Sequence, residues 1–314
     1  MNAPRPSPED APDTAPDIRG WRHWPSHAAL GLMWLLHFLP LTLLAPLGRG
    51  VGALLWLAGR SRRRIALRNL ALCLPELSPA ERLALAREHF ALLGRSLLER
   101  SLLWHASPER LRRLIHIEGN IHLAQTSDRP VMWLTPHFLA LDVAGVATQV
   151  HQGKVGCSIY QAQSNPVFDA AMRRARLRFG LAQIHARGEG VLPVMRAIRR
   201  GTPFFNLPDM DFGLKDAAFV PFMGVSSATL LTPSKMAHKL DMVVQPVIAD
   251  ILPGGQGYRV HFMPPLAGFP TADALADTAH LNEWIAAQVR LRPAQYLWVH
   301  RRFKTRPDGQ PPLY

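Results

Sequence analysis

The chain has only two cysteines among 314 residues, too few for a disulfide framework or a metal cage of the usual kind. Cys73 and Cys157 therefore read as small apolar residues in a reducing compartment. Negative charge is scarce as well. There are 23 Asp and Glu against 36 Lys and Arg, a formal net charge of +13. Such a balance points to a polyanionic partner: nucleic acid, an anionic membrane surface or an acidic protein. Internal repeats are not evident. Charged residues make up 19% of the chain, below the roughly 25% of an average soluble domain. Apolar residues are plentiful at 48%, which excludes a disordered chain and, at this length, allows a sizeable core.

Part of the charge shortfall comes from one stretch. Residues 28–47 hold no Lys, Arg, Asp or Glu and are broken only by His37, Pro40 and Pro46. As a helix rising ~1.5 Å per residue, the run matches a bilayer core of about 30 Å. Its length and the acidic residues before it (Glu9, Asp10, Asp13, Asp17) argue against a cleaved signal peptide. Arg49, Arg60, Arg62, Arg63, Arg64 and Arg68 follow the run, against Arg5, Arg19 and Arg22 before it. Positive flanks stay cytoplasmic, and an arginine cluster suits an anionic lipid surface. The expected organisation is a disordered tail over residues 1–22, a membrane-anchoring helical segment over 23–60, and one large domain over 61–314.

Ser78-Pro79-Ala80-Glu81 is a capping box that opens a helical pattern running to Leu114. Beyond Gly119 short apolar runs alternate with helical stretches. Strands are expected over 131–135, 155–160, 203–207, 243–249 and 258–263, and helices over 142–150, 166–178, 191–200 and 278–289. The alternation predicts an α/β fold with a mostly parallel central sheet flanked by helices, behind the N-terminal membrane-anchoring helical segment.

With 14 His and 23 acidic residues, about one His-x4-acid spacing arises by chance. One is present, His137 to Asp142, and it lies past a strand and at a helix start, where open α/β sheets form ligand sites. With His137 in the turn and Asp142 in the first helical turn, the carboxylate can bind one imidazole nitrogen and leave the other as a base. The bland alternative is a packed histidine bonded to backbone. Asp209 and Asp211 follow a second strand, where they can orient an arginine, bind a metal or simply form an Asx-turn. Arg173, Arg174, Arg176 and Arg178 share a helix opened by Asn165-Pro166. Arginine suits phosphate and carboxylate forks, although most of the four read as a solvated face. The tail from Gln295 to Pro307 interleaves aromatics with cations, a texture suited to the lipid headgroup level or to single-stranded nucleic acid, and the apolar run at the other end favours the former.

Several of these segments together resemble the late acyltransferases of lipid A biosynthesis, the lauroyl/myristoyl transferases of Gram-negative bacteria. These are relatives of the glycerolipid acyltransferases with a His-x4-acid motif. The likeness runs from about Trp24 onward. It is carried by Arg64 to Leu77, Thr135-Pro136-His137 to Asp142, Asn165 to Asp169, Leu207 to Asp211, Phe219 to Thr229 and Tyr296 to Lys304. The resemblance implies an inner-membrane acyltransferase facing the cytoplasm, needing no cofactor. Its donor would be an acyl carrier protein thioester and its acceptor a hydroxyl of a phosphorylated glycolipid, the lipid A precursor. Residue by residue it implies that His137, Asp142, Arg176 and Asp209 are catalytic. Two positions depart from the pattern: Gln161 stands where many members have Arg, and Met210 where Gln is usual. Two rival readings share the same residues. One is acylation of another lipid, such as a lysophospholipid, an ornithine lipid or a polyene glycolipid. The other is a non-catalytic, membrane-tethered basic binding protein. Nucleic-acid binding lacks any recognised module.

Overall fold

The computed structural model describes residue 18 and residues 20–314, so most of the tail expected over 1–22 lies outside the described residues. Trp21 and Arg22 belong to a single 3-10 turn, Trp21–His23. The apolar run that follows is two helices rather than one: α1, Trp24–Leu36, and α2, Leu41–Ala58. Pro40 lacks an N–H and disfavours helical dihedrals at Leu39, so the chain bends between them.

Next come α3, Arg60–Cys73, and α4, Pro79–His105. The capping box that starts α4 is formed, with the Ser78 N–H donating to Glu81 Oε2 at 2.7 Å. The helix expected to reach Leu114 is interrupted, because Ser107 caps a separate α5, Pro108–Leu114, with Pro108 at its first position. The remainder alternates as foreseen. It runs β1 Ile115–Gly119, α6 Leu123–Thr126, β2 Val131–Leu134, α7 Leu141–Val150, β3 Gly156–Tyr160, α8 Pro166–Leu177, β4 Ala182–Ala186, α9 Leu192–Arg199 and β5 Phe204–Asn206. Then come β6 Ala217–Phe222, β7 Val225–Leu230, α10 Thr232–Lys239, β8 Val243–Ile251, β9 Tyr258–Phe262 and α11 Ala274–Leu291.

One sheet has the order β1-β9-β8-β2-β5-β3-β4. All of its neighbours are parallel except β8 and β9, and β6 and β7 form a separate antiparallel hairpin. The fold is therefore α/β with a mostly parallel sheet, as expected. The strands sequence reasoning missed include both sheet edges, β1 and β4, whose alternating polar residues hide them among loops.

The sheet's centre is dry: β2 is buried at all four residues, with Trp133 filling the layer beneath α7. The tail read as a headgroup-level segment is core instead, for Tyr296, Trp298, Arg302 and Phe303 are all buried. Its aromatics pack against Phe138 and Phe222, not lipid.

Helix α2 lies along α4 at backbone contact. A Cβ on Gly94 would stand 2.2 Å from Gly52 N and 2.3 Å from Gly48 O, so the crossing requires hydrogen at that position. A few residues on, α4 carries a buried ion pair, Arg95 Nε to Glu99 Oε1 at 2.6 Å, and Tyr258 of β9 donates to Glu99 Oε2 at 2.6 Å. Gly94→Ala should therefore destabilise the protein by about 1–3 kcal/mol, the usual overpacking range. Gly50→Ala on the open face of α2, with nothing within 4 Å of its Cβ, should be neutral or slightly stabilising. Thermal unfolding of the two variants side by side checks this.

Candidate active site

His137 lies in the turn between β2 and α7, at the carboxyl ends of the central strands. The turn is tied on both sides. Thr135 N–H donates to Asn206 O of β5 at 2.8 Å, and Leu139 N–H to Gln295 O at 2.8 Å. Leu297 N–H donates to His137 O at 3.0 Å, and Phe138 pairs with Tyr296 in an antiparallel bridge. Three N–H groups at the tip of the turn are thereby committed: that of Leu139 as above, that of Phe138 to Pro136 O, and that of His137 itself to Asp209.

Asp209 follows β5 and is 1% exposed. Its carboxylate accepts from His137 N–H at 2.9 Å, from His137 Nδ1 at 2.6 Å and from the Tyr296 hydroxyl at 3.0 Å. Burial alone would raise this carboxyl, but His137 and the Arg302 guanidinium overcome it and hold it down at about 2. An ionised carboxylate has no proton to give, so Nδ1 of His137 is the donor, which in the neutral imidazole leaves the lone pair on Nε2. Among the described residues Nε2 has no hydrogen-bond partner. Burial, reinforced by the charge on Asp209, raises the Tyr296 hydroxyl well above its ordinary range, so it stays a donor. Behind the ring lies a cavity of about 10 Å³, lined by Asn69, Cys73 and Arg302 among others. That is room for a single water.

The structure corrects the partner expected for His137. Asp142, in the first turn of α7, makes no hydrogen bond to it among the described residues. It is held instead by Arg176 Nη2 of α8 at 3.0 Å and Arg100 Nε of α4 at 3.1 Å. Burial would raise the Asp142 carboxyl, and the two guanidiniums outweigh it and pull it below the ordinary range. Two cations at salt-bridge distance attract a carboxylate more strongly than a neutral imidazole does. His137, Asp209, Asp142 and Arg176 thus form two adjoining clusters rather than one relay.

The other arginines of α8 have separate tasks. Arg173 bonds the Tyr160 hydroxyl and lies over its ring, Arg174 is exposed, and Arg178 donates to Ala106 O at 2.6 Å. Asp211 is the Asx-turn foreseen as the bland reading, accepting from Gly213 N–H at 3.0 Å. It also holds Thr305 through its N–H at 2.7 Å and hydroxyl at 2.8 Å. Its own N–H donates to Nε2 of His300, which burial pushes down to about 4 and keeps neutral at pH 7. Sequence reasoning did not single out Arg100, Tyr296 or Arg302 as site residues. The signal for Arg100 was a charge close to the apolar stripe of α4.

A sequence profile described as bacterial lipid A biosynthesis acyltransferase matches residues 12–305. The chain is 30% identical over 296 residues to a lipid A biosynthesis lauroyltransferase of Escherichia coli, covering 93% of this chain and 95% of the relative. It is 31% identical over 296 residues to a lipid A biosynthesis palmitoleoyltransferase of the same organism, with the same coverage. With a lipid A biosynthesis myristoyltransferase, also from Escherichia coli, it shares 32% identity over 272 residues, 85% of this chain and 82% of the relative.

The depressed Asp209 carboxyl carries a stability prediction of definite sign. A carboxyl lowered on folding stabilises the native state above its unfolded value near 4, and that contribution is lost as pH falls toward 2. Between pH 5 and pH 3 the wild-type chain should lose more stability than Asp209→Asn, measured by denaturant midpoints on both proteins. Equal losses would mean that Asp209 is not the depressed group.

Proposed function

The chain belongs to the bacterial lipid A biosynthesis acyltransferase family, and from that premise we propose its reaction and its catalytic residues. A fatty acyl group passes from an acyl carrier protein thioester to a hydroxyl of a phosphorylated lipid A precursor. The enzyme works at the bacterial inner membrane, attached through residues 23–60, with its catalytic domain on the cytoplasmic side. The observation that carries the chemistry is His137, whose Nδ1 is tied to a buried carboxylate while Nε2 is left as a base.

Nε2 takes the proton as the acceptor oxygen attacks the thioester carbonyl carbon. Charge develops on the carbonyl oxygen, and the C–S bond then breaks. The leaving thiolate recovers the proton from the imidazolium, which Asp209 has stabilised meanwhile. No acyl-enzyme is required. The turn's N–H groups at 137, 138 and 139 are already bonded, which favours the guanidinium of Arg176, not backbone, as the group facing the oxyanion. Asp142 sets the place of Arg176 and Arg100. The excess of positive charge suits both an acidic carrier protein and a phosphorylated acceptor.

The test is transfer by purified protein from acyl carrier protein thioesters to a panel of lipid hydroxyls, read by mass. The expected product is a lipid A precursor heavier by one acyl chain. Acylation of lysophosphatidic acid with none on lipid A precursors would overturn the acceptor and leave the mechanism. Failure with every hydroxyl acceptor, the donor being intact, would overturn both.

The three carboxyl and imidazole variants should separate. His137→Ala lowers kcat by about 10²- to 10⁴-fold, the usual worth of a general base. Asp209→Asn lowers kcat by at least about 10²-fold, because the amide cannot stabilise imidazolium. Asp142→Asn acts through Arg100 and Arg176, raising KM more than it lowers kcat. Steady-state kinetics on folded variants decides, and wild-type turnover in His137→Ala would remove His137 from the reaction.

A further inference from the structure

Helices α1 and α2 are amphipathic in the reverse sense of a soluble protein, with their large apolar residues on the outside. Trp24, Leu35 and Phe38 of that stretch are exposed at helical spacing, Trp24 to 73%. On α2, Leu43, Leu47, Leu54 and Leu57 recur at steps of four, seven and three residues, one face of a helix, and are half to two-thirds exposed. Opposite that stripe, Leu41, Leu44, Ala45, Gly48 and Gly52 are buried on the domain. By length and composition α2 could cross a bilayer.

Its attachments say otherwise. The bend between the helices is held by Arg110 of α5, which donates to His37 O and, at 2.5 Å, to Leu39 O. Near its start, α2 lies against the turn after β8, where a Cβ on Gly255 would stand 2.7 Å from Thr42 Cα. Midway it is locked to α4, where a Cβ on Gly52 would stand 2.2 Å from Phe90 O. At its end Trp56 stacks edge-on with Phe90, ring centroids 5.3 Å apart. Helix α1 is pinned too, Asn165 Nδ2 of α8 donating to Ser26 Oγ at 2.8 Å.

Charge gives the orientation. The midpoint of α2 falls at Arg49, ion-paired to Glu88 at 2.7 Å. A crossing helix would carry that pair to the bilayer centre, where charge is least tolerated. In a helix of 100° per residue, Arg49 lies about 120° from the centre of the exposed stripe, which is at the waterline if the stripe faces down. Arg60, Arg62 and Arg64 are exposed directly after α2, where the headgroups of an anionic leaflet would be.

We infer that α1 and α2 lie in the plane of one leaflet and dock the domain on an anionic bilayer surface, without crossing it. The inference deepens the membrane part of the proposed function, but its test reads topology and not acyl transfer, so the two can fail separately.

Single cysteines are placed at Gly20, Phe38 and Gly309 in the full chain, whose native Cys73 and Cys157 are buried. They are probed with a membrane-impermeant maleimide in right-side-out and inverted vesicles. Gly20→Cys and Gly309→Cys should label in the same vesicle orientation, and Phe38→Cys in neither. Labelling of Gly20→Cys from the opposite side, or of Phe38→Cys from the side away from Gly309→Cys, would mean a crossing helix and overturn the inference. Flotation with vesicles of phosphatidylethanolamine and phosphatidylglycerol supplies the second arm. Leu54→Glu/Leu57→Glu should reduce the bound fraction by about tenfold or more, since both leucines leave water on docking. Unchanged flotation of a folded double variant, or a wild-type dimer that buries this stripe and ignores vesicles, would overturn it as well.

Discussion

Burying the Asp209 carboxylate is the constraint on which the site is built. A lone carboxylate removed from water costs several kcal/mol, and only donors and positive charge offset that. Here they arrive from His137 after β2, from Tyr296, and at longer range from Arg302, so satisfying one carboxylate dictates the path of the C-terminal segment. That path continues outward. Asn69 Nδ2 of α3 donates to Trp298 O and His300 O at 2.7 Å each, and Tyr314 donates to Asn69 Oδ1. The end of the chain thereby closes the back of the imidazole, where an open channel would let water compete for Asp209.

The sheet was legible from composition runs because a parallel sheet covered on both faces needs strands apolar on every residue, as in β2. What local pattern could not supply was pairing across the sheet. His137 and Asp209 are 72 positions apart, and they meet because β2 and β5 are parallel neighbours with Met132 opposite Phe204. The spacing from His137 to Asp142 suggested a contact that the structure does not make, since a helical residue can turn to guanidiniums on two other helices as readily as to its neighbour in the chain. Misreading the tail had a similar origin. Aromatics interleaved with cations look alike at a lipid surface and in a core where Arg302 is spent on Thr229, Asn282 and the Phe222 ring. The N-terminal run was legible as apolar, but Pro40 and the small residues Gly48 and Gly52 decided its shape.

Separating the two carboxylates has an electrostatic consequence. Asp209 is the carboxylate that faces His137, whereas two arginines on one Asp142 leave net positive charge at the start of α7, where the helix N-terminus is already positive. A direct bond between Asp142 and His137 would draw that carboxylate away and leave Arg100 and Arg176 repelling each other.

Helix α4 joins these parts at one place. Gly94 meets α2, Arg95 and Glu99 reach β9, Ser96 Oγ donates to Leu139 O of the His137 turn at 2.6 Å, and Arg100 binds Asp142. Six residues of helix rise on the order of 9 Å, so the reach from α2 to the turn that holds His137 is set by less than two turns of rigid backbone. If His137 is the base and α1 and α2 lie in the leaflet, as proposed, the hydroxyl delivered to Nε2 belongs to a molecule whose reacting group stands near the plane of those two helices. A lipid whose hydroxyl lies at the level of its headgroups meets that condition without leaving the leaflet. A substrate free in water gains nothing from it, so under that proposal packing as tight as that of Gly94 on Gly52 bears on specificity as well as stability.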